Sequence, residues 1–471
     1  MAVERANPAG GAPAGEGTAS GAPLFDAVDA PARRVRVLLP RPLDGAYDYK
    51  LPDEMALVPG AVVEVPLGRQ RLPGAVWAVD PEDSDVPEGK LRPVQRRYDT
   101  PPLPEALRRF VDWVAAYYLA APGAVLKMCL SVPAALDPPT PRVGYLRADA
   151  DPDALGLKLT RARRRVLDVL AEGPARTLAE LTREAGVSDG VVRGLADAGL
   201  LERVELGPGR RFDPPDPETP GPELSQAQRD AADQLGAKVD ADAFSVTLID
   251  GVTGSGKTEV YFEAVIRALA QDRQVLVLLP EIALSAQWLG RFERRFGVEP
   301  AVWHSELHHG ERRRTWRAVA EGEARVVVGA RSALFLPYPE LGLIVVDEEH
   351  EQAFKQEEGV PYHARDMAVV RARLGQLPAI LVSATPSLET MENVRAGRYD
   401  RVQLPERHAG ALLPEIAPID LRQDRPKPIP GHGTSYLAPS LRAALQETLD
   451  RGEQALLFLN RRGYAPLTLC R

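Results

Sequence analysis

The chain has 471 residues, a length that predicts about three domains, each able to bury a core of its own. Its 44% hydrophobic and 26% charged residues exclude a disordered polypeptide, and two cysteines, Cys129 and Cys470, exclude a disulfide framework and point to a reducing compartment. A net charge of −8 argues against coating of nucleic acid through bulk electrostatics, yet a local basic groove stays open, because only the contact surface has to neutralise phosphates.

Residues 1–32 are dominated by Ala, Gly and Pro without apolar periodicity and read as a disordered tail. From 33 to 131 the chain changes character. Val35–Leu39, Gly60–Pro66 and Gly74–Val79 read as short strands punctuated by Gly and Pro. Pro104–Leu119 has helical spacing, with Leu107, Phe110, Val111, Val114 and Tyr118 along one stripe. This span predicts a small β-rich domain closed by a helix.

Residues 155–206 predict a winged-helix domain. Thr177–Ser188 forms the first helix and turn, Val191–Leu200 the second helix, and Leu201–Leu206 the wing strand. Duplex binding is one reading; however, the second helix carries only Arg193 as a cation, beside Asp189 and Asp197. A spacer or protein-binding module fits equally. The cluster Arg161, Arg163, Arg164 and Arg165 is the better phosphate contact, with a solvated helix face as the alternative. Residues 207–223 hold six prolines among few apolar residues and read as a linker.

Over 224–404 strands alternate with helices, as in a parallel sheet covered on both faces. Phe244–Ile249 is a strand feeding Gly251-Val-Thr-Gly-Ser-Gly-Lys257-Thr258, and a helix follows it. Gly251, Gly254 and Gly256 let backbone N–H groups turn inward onto phosphates, with the helix N-terminus adding partial positive charge. Lys257 is placed to reach the β- and γ-phosphates of ATP and Thr258 to ligate Mg²⁺. The apolar run Leu341–Val346 ends in Asp347-Glu-Glu-His350: Asp347 is a further Mg²⁺ ligand, and Glu348 orients the attacking water.

Further pieces stand in the order of a superfamily 2 helicase with a RecA-like P-loop lobe. Leu224–Gln228 matches an adenine-reading motif with Gln228 as the reader. Leu279–Gln287, His304-Ser305, Gly329–Phe335 with Arg331 in a DNA-facing motif, and Ser383-Ala-Thr-Pro-Ser-Leu-Glu389 follow. A P-loop kinase or transporter ATPase does not account for the Ser-Ala-Thr-Pro segment or the N-terminal domains.

Together with Pro280–Leu284, Tyr362–Asp366 and Leu459-Asn-Arg-Arg-Gly-Tyr464, these segments resemble the primosomal replication-restart helicase family, PriA. The resemblance implies a 3′-to-5′ DNA helicase that recognises branched forks and single-stranded DNA. It also implies work with primosome, helicase-loading and single-stranded-DNA-binding proteins, in the cytoplasm at the nucleoid. No apolar run nears the roughly 20 residues of a membrane span, and no basic start with an apolar core marks a secretory signal.

By the same resemblance, Tyr47-Asp48-Tyr49 and Val65–Arg69 belong to a domain that binds a 3′ DNA end, with Tyr47, Asp48 and Gly68 lining the pocket. Alone, those three residues read as turn residues more readily than as a pocket. The segment 354–365 keeps the frame of an aromatic-rich loop, with Phe354 and Tyr362 as base platforms or, alternatively, core residues. Val360 and Pro361 stand where the family often has a tryptophan and a cation. Residues 405–471 read as the start of a second helicase lobe, beginning at Ala455–Leu459. Cys470 falls where zinc-binding cysteines begin in the family, and one thiol leaves that site incomplete. The resulting expectation is binding of ATP and fork DNA with poor unwinding, the alternative being a fork-binding scaffold without helicase activity.

Overall fold

Val35 and Val37 point to one face of a strand and Leu38 to the other, and all three are buried, so the first sheet is covered on both sides. The computed structural model describes residues 33–138, 142–150, 152, 157–171, 173–206, 212–280, 286–407, 415–429, 433–434 and 437–458. The tail over 1–32, Glu281–Ser285 and Cys470 lie outside the described residues. The chain divides into two compact units, 1–408 and 409–471.

The first sheet is antiparallel and holds β1 (Arg34–Leu38), β2 (Tyr47–Lys50), β3 (Val62–Leu67), β4 (Gln70–Val79) and β5 (Arg96–Arg97) in the order β2-β1-β4-β3-β5. Two of its strands, β2 and β5, escape the sequence pattern because they are short edge strands of mixed polarity. Helix α1 (Glu105–Tyr117) is joined by an unanticipated α2 (Pro122–Cys129).

The buried stripe of α1 does not close a separate core. It belongs to a cluster continuous with one face of the large sheet described below, and the rings of Phe110 and Phe335 lie 5.3 Å apart. Polar bonds sew the same seam. The Trp316 indole donates to the Cys129 carbonyl at 2.8 Å, and Arg317 donates to the carbonyls of Asp99 at 2.6 Å and Ala135 at 3.2 Å.

Residues 142–206 form β6 (Arg142–Arg147), α3 (Arg161–Val169), β7 (Arg176–Thr177), α4 (Leu178–Ala185), α5 (Asp189–Asp197) and β8 (Leu201–Leu206), with sheet order β7-β6-β8. Strand β6 lies ahead of the predicted start at 155. A Thr177–Glu180 capping box opens α4, and Gly186 at φ +58° closes it in the left-handed region. On α5, Arg193 pairs with Asp189 at 3.2 Å.

The proline-rich segment is not a free linker over its described part. Asp216 N–H donates to Phe296 O at 2.9 Å, Arg295 donates to Thr219 O, and the Arg314 guanidinium lies 5.1 Å from the Phe212 ring. Residues 212–224 therefore form a strap on the next domain.

That domain holds α6 (Gln226–Asp240), β9 (Ser245–Gly251), α7 (Lys257–Ala270), β10 (Gln274–Leu278), α8 (Ala286–Phe296), β11 (Ala301–Trp303), α9 (His309–Ala320) and β12 (Val326–Gly329). Then come β13 (Leu341–Asp347), β14 (Lys355–Gln356), β15 (Tyr362–His363), α10 (Ala364–Gly375), β16 (Pro378–Ser383), α11 (Leu388–Arg395) and β17 (Asp400–Leu404). Its seven-stranded sheet is parallel throughout, in the order β11-β12-β10-β13-β16-β9-β17. Separate buried clusters cover its two faces, as the predicted architecture requires.

The second unit holds a short antiparallel pair, β18 (Pro428–Ile429) with β19 (Gly433–Thr434), and α12 (Pro439–Asp450). Over 455–458, where the second lobe is expected to begin, the described residues form no helix or strand, and Leu456 and Phe458 are 91% and 83% exposed. Among the described residues, no helix is long and apolar enough to cross a membrane, and no cluster of His, Cys, Asp and Glu could hold a metal ion.

Candidate active site

Strand β9 delivers the glycine-rich loop, and its backbone takes the form that phosphate binding needs. Gly254 and Gly256 sit at φ +81° and +82°, a region costly for residues with a Cβ. At Gly256 a Cβ would stand 2.3 Å from Gln228 Nε2, so the space is already filled. Gln228 accepts from Ser225 N–H at 2.8 Å in the capping box of α6 and donates to Ser255 O at 2.9 Å. One end of its amide closes the cap of its own helix and the other braces the loop, and adenine reading would exchange one of those bonds. Lys257 Nζ rests on Gly251 O at 2.9 Å, within the loop it would leave for a phosphate.

Asp347 closes β13 beside the start of α7. Tyr261, one helical turn after Lys257, donates to Asp347 Oδ2 at 3.0 Å, and the Trp288 indole donates to the Tyr261 hydroxyl at 2.7 Å. Burial, helped by the neighbouring Glu348, pushes the Asp347 carboxyl up to about 6 against the hydrogen bond from Tyr261. A carboxylate made costly by burial suits a site for a divalent cation, whose charge favours the ionised form.

Two cavities meet this cradle. One of about 230 Å³ is lined by Thr258, Gln287, Trp288, Arg291, Asp347 and Glu348. A larger one, about 730 Å³, lies between Gly254, Gly256, Gln228 and Glu259 on one side and the strap residues Pro220–Leu224 on the other, with Arg291, Arg294 and Arg295 along its rim. Their size, backbone donors and cations fit a nucleoside triphosphate with Mg²⁺.

Glu348 stands at φ +51°, a strained conformation for a glutamate. Its neighbours hold it there. His350 Nδ1 lies 2.8 Å from Ser383 Oγ, tying β13 to the Ser-Ala-Thr-Pro segment. Glu349, wholly buried, takes hydrogen bonds from Ser387 N–H at 2.7 Å, Thr390 Oγ1 at 3.0 Å and Arg365 Nη1 at 3.2 Å. Sequence patterning missed Tyr261, Glu349 and Arg365 as site-builders. Their signal was their place inside the recognised segments, which reads as identity rather than as chemistry.

The DNA-facing candidates are scattered. Arg331 donates to the carbonyls of Ala353 at 3.0 Å and Lys355 at 3.1 Å, bracing the loop that follows β13. Phe354 and Tyr362 are 1% and 2% exposed, packed in the core beneath α1, and this corrects their reading as base platforms. Tyr47 and Asp48 lie in β2, not in a turn. Tyr47 is 42% exposed, whereas the Asp48 carboxylate is covered and bonded to Arg36 Nε at 2.9 Å. Burial opposes ionisation of Asp48, but hydrogen bonds from Arg36 and Ser84 win and hold its pKa below the usual value. Gly68 sits at φ +60° with open space where a Cβ would be, and the Tyr49 hydroxyl donates to nearby Pro66 O at 3.1 Å, linking β2 to that hairpin end.

The 3′ DNA-binding domain (3′BD) family matches residues 36–131, and the DEAD/DEAH box helicase family matches residues 225–394. Three relatives called replication restart protein PriA align over most of the chain. The one from Rickettsia felis is 34% identical over 93% of this chain and 55% of its own length. Those from Haemophilus influenzae and Bacillus subtilis are 35% and 32% identical, over 93% and 91% of this chain and 60% and 62% of theirs. The chain thus spans somewhat over half the length of these curated relatives. A solved structure of RecG bound to a three-way DNA junction aligns with a TM-score of 0.33 and 20% identity, over 41% of this chain and 25% of that one, too slight a likeness for comparing site geometry. With a 3′ DNA-binding domain and a DEAD/DEAH box helicase domain matched in order, and relatives at this identity across nine-tenths of its length, the chain is similar to the replication restart proteins called PriA.

Proposed function

We propose that the chain binds and hydrolyses ATP as the motor of a 3′-to-5′ DNA helicase that restarts replication at branched forks. The observation that carries this reading is the junction of a P-loop with buried Asp347 and strained Glu348 at one cradle. Bound Mg²⁺ would neutralise charge on the phosphates and align them for in-line attack by water. The loop N–H groups and Lys257 would hold the phosphate oxygens. Thr258 and Asp347 would hold the metal, while Glu348 would orient the attacking water and take up its proton. Ser383 and His350 would relay the state of the cradle to α11.

The domain over 36–131 would supply recognition of a nascent 3′ end through Tyr47 and the Gly68 turn, with Asp48 released from Arg36 to accept the terminal hydroxyl. Helicase-loading and single-stranded-DNA-binding proteins of the primosome would be the protein partners, at the nucleoid. The test is ATP hydrolysis with and without forked DNA bearing a leading-strand 3′ end, with Lys257→Ala as control. Fork-stimulated turnover absent from the control supports the motor. Tight fork binding without turnover would replace it with a fork-binding scaffold.

A further inference from the structure

The rings expected to stack on DNA bases, Phe354 and Tyr362, are buried, yet aromatic surface does lie beside their loop. It comes from α1, some 240 residues earlier. Trp113 and Tyr117, one helical turn apart, are stacked with ring centroids 4.7 Å apart and planes 13° from parallel. Tyr117 is 64% exposed, so the outer face of this stack meets solvent. Tyr118 sets its ring edge-on to Tyr117 at 5.0 Å, and its hydroxyl accepts from His363 N–H at 3.4 Å. That bond joins the end of α1 to the loop after β13.

Three further observations bear on what covers this face. Leu119 ends the helix at φ +51° and is 94% exposed, a strained apolar residue held out in solvent. Arg109, one turn before Trp113 on the same helix face, is exposed and has no carboxylate partner among the described residues. Arg331 also lacks one among the described residues and lines a cavity of about 1000 Å³ with Lys355, His363, Glu357 and Glu358. One cation without a carboxylate partner therefore stands a helical turn from the stack, and another lines the cavity shared with His363, the residue bonded to Tyr118 beside it. Single-stranded nucleic acid has the matching character, a phosphate backbone carrying flat bases, and sequence-tolerant binding uses stacking platforms combined with cations.

We infer that the Trp113–Tyr117 stack is a base-stacking platform for single-stranded DNA, with Arg109 and Arg331 contacting flanking phosphates. The inference rests on the DNA-motor reading above and assigns the surface along which the strand runs. It makes helix α1 of the 3′-end domain part of the strand path rather than only a prop for the motor core.

The experiment is fluorescence anisotropy of a labelled oligothymidylate with the full chain, comparing wild type, Trp113→Ala, Tyr117→Ala, Tyr117→Phe and Arg109→Ala. Circular dichroism and thermal midpoints verify the fold. Each aromatic-to-alanine change is expected to weaken binding about tenfold, the loss of one base–aromatic stack, while Tyr117→Phe keeps wild-type affinity. Arg109→Ala is expected to lower the salt dependence of binding by about one counterion. Equal affinity of Tyr117→Ala and wild type would overturn the platform while leaving the motor reading intact. Failure of the wild type itself to bind oligothymidylate would sink both. Self-association abolished by Tyr117→Ala, with oligothymidylate affinity unchanged, would assign the face to a second copy of the chain and overturn the inference.

Discussion

Tyr261 on α7 donates its phenol proton to Asp347 at the end of β13, across 3.0 Å of buried space. The bond joins the helix that begins at Lys257 to the strand that carries the candidate metal ligand. It therefore sets the distance between the two halves of the cradle before any nucleotide arrives.

Tyr261→Phe removes that bond and the acceptor for the Trp288 indole. Loss of buried hydrogen bonds, one of them to a carboxylate, should cost about 1–3 kcal/mol. A urea denaturation midpoint equal to wild type would show that the tyrosine contributes packing alone. ATPase turnover should fall together with stability, because Asp347 loses its orienting partner.

Gly256→Ala places a Cβ 2.3 Å from Gln228 Nε2 in a residue held at φ +82°. Backbone strain of about 1–2 kcal/mol and displacement of the brace should together reduce ATP affinity by about tenfold or more. Gly397→Ala is the control, since it shares a positive φ of +68° but meets open space. It should lower stability while titration calorimetry shows unchanged nucleotide binding.

Arg317→Met deletes the donors to the carbonyls of Asp99 and Ala135 at the seam between the first sheet and α9. A cost of about 2–4 kcal/mol is expected, with faster proteolytic cleavage between that sheet and the parallel-sheet domain. Arg325→Met, which breaks an exposed pair with Asp272, should cost less than about 1 kcal/mol. Similar losses in the two variants would argue against the seam.

Burial pushes the Cys129 thiol up to about 12. The native state thus favours the protonated form. Its contribution to stability is full below the ordinary thiol range, about pH 8.5, and is lost as pH climbs from there toward 12, at about 1.4 kcal/mol per unit. Denaturation midpoints between about pH 8 and 10.5 should fall more steeply in wild type than in Cys129→Ala. Comparing slopes removes buried Tyr338 and Tyr362, whose raised ionisation is common to both proteins. Parallel slopes would mean that the thiol is reachable by water.

The parts of this molecule legible in its sequence are those in which function is written on the backbone. A P-loop needs its glycines close together, and a buried parallel strand needs an unbroken apolar run, so the helix that starts at Lys257 and the strand that ends at Asp347 form where those patterns put them. Side-chain surroundings were less legible. Phe354 and Tyr362 looked like loop aromatics because the helix that buries them lies far earlier in the chain. Strand β2 was missed because it is a four-residue edge strand, too short for its pattern to stand out, and β6 because Arg-Val-Gly-Tyr-Leu-Arg lacks a clean alternation. Glu349 had no role in the sequence reading, and only the fold brings Ser387, Thr390 and Arg365 around it.

The docked strap puts a segment from outside the parallel sheet into the wall of the nucleotide cavity. Pro220–Leu224 line the cavity of about 730 Å³, and Thr219, just before them, accepts a hydrogen bond from Arg295 of α8. A pull on the chain ahead of Thr219 would therefore reach the cavity wall through α8 and the strap together, so a load on the domain before the strap and the fit of the nucleotide would be felt at the same residues.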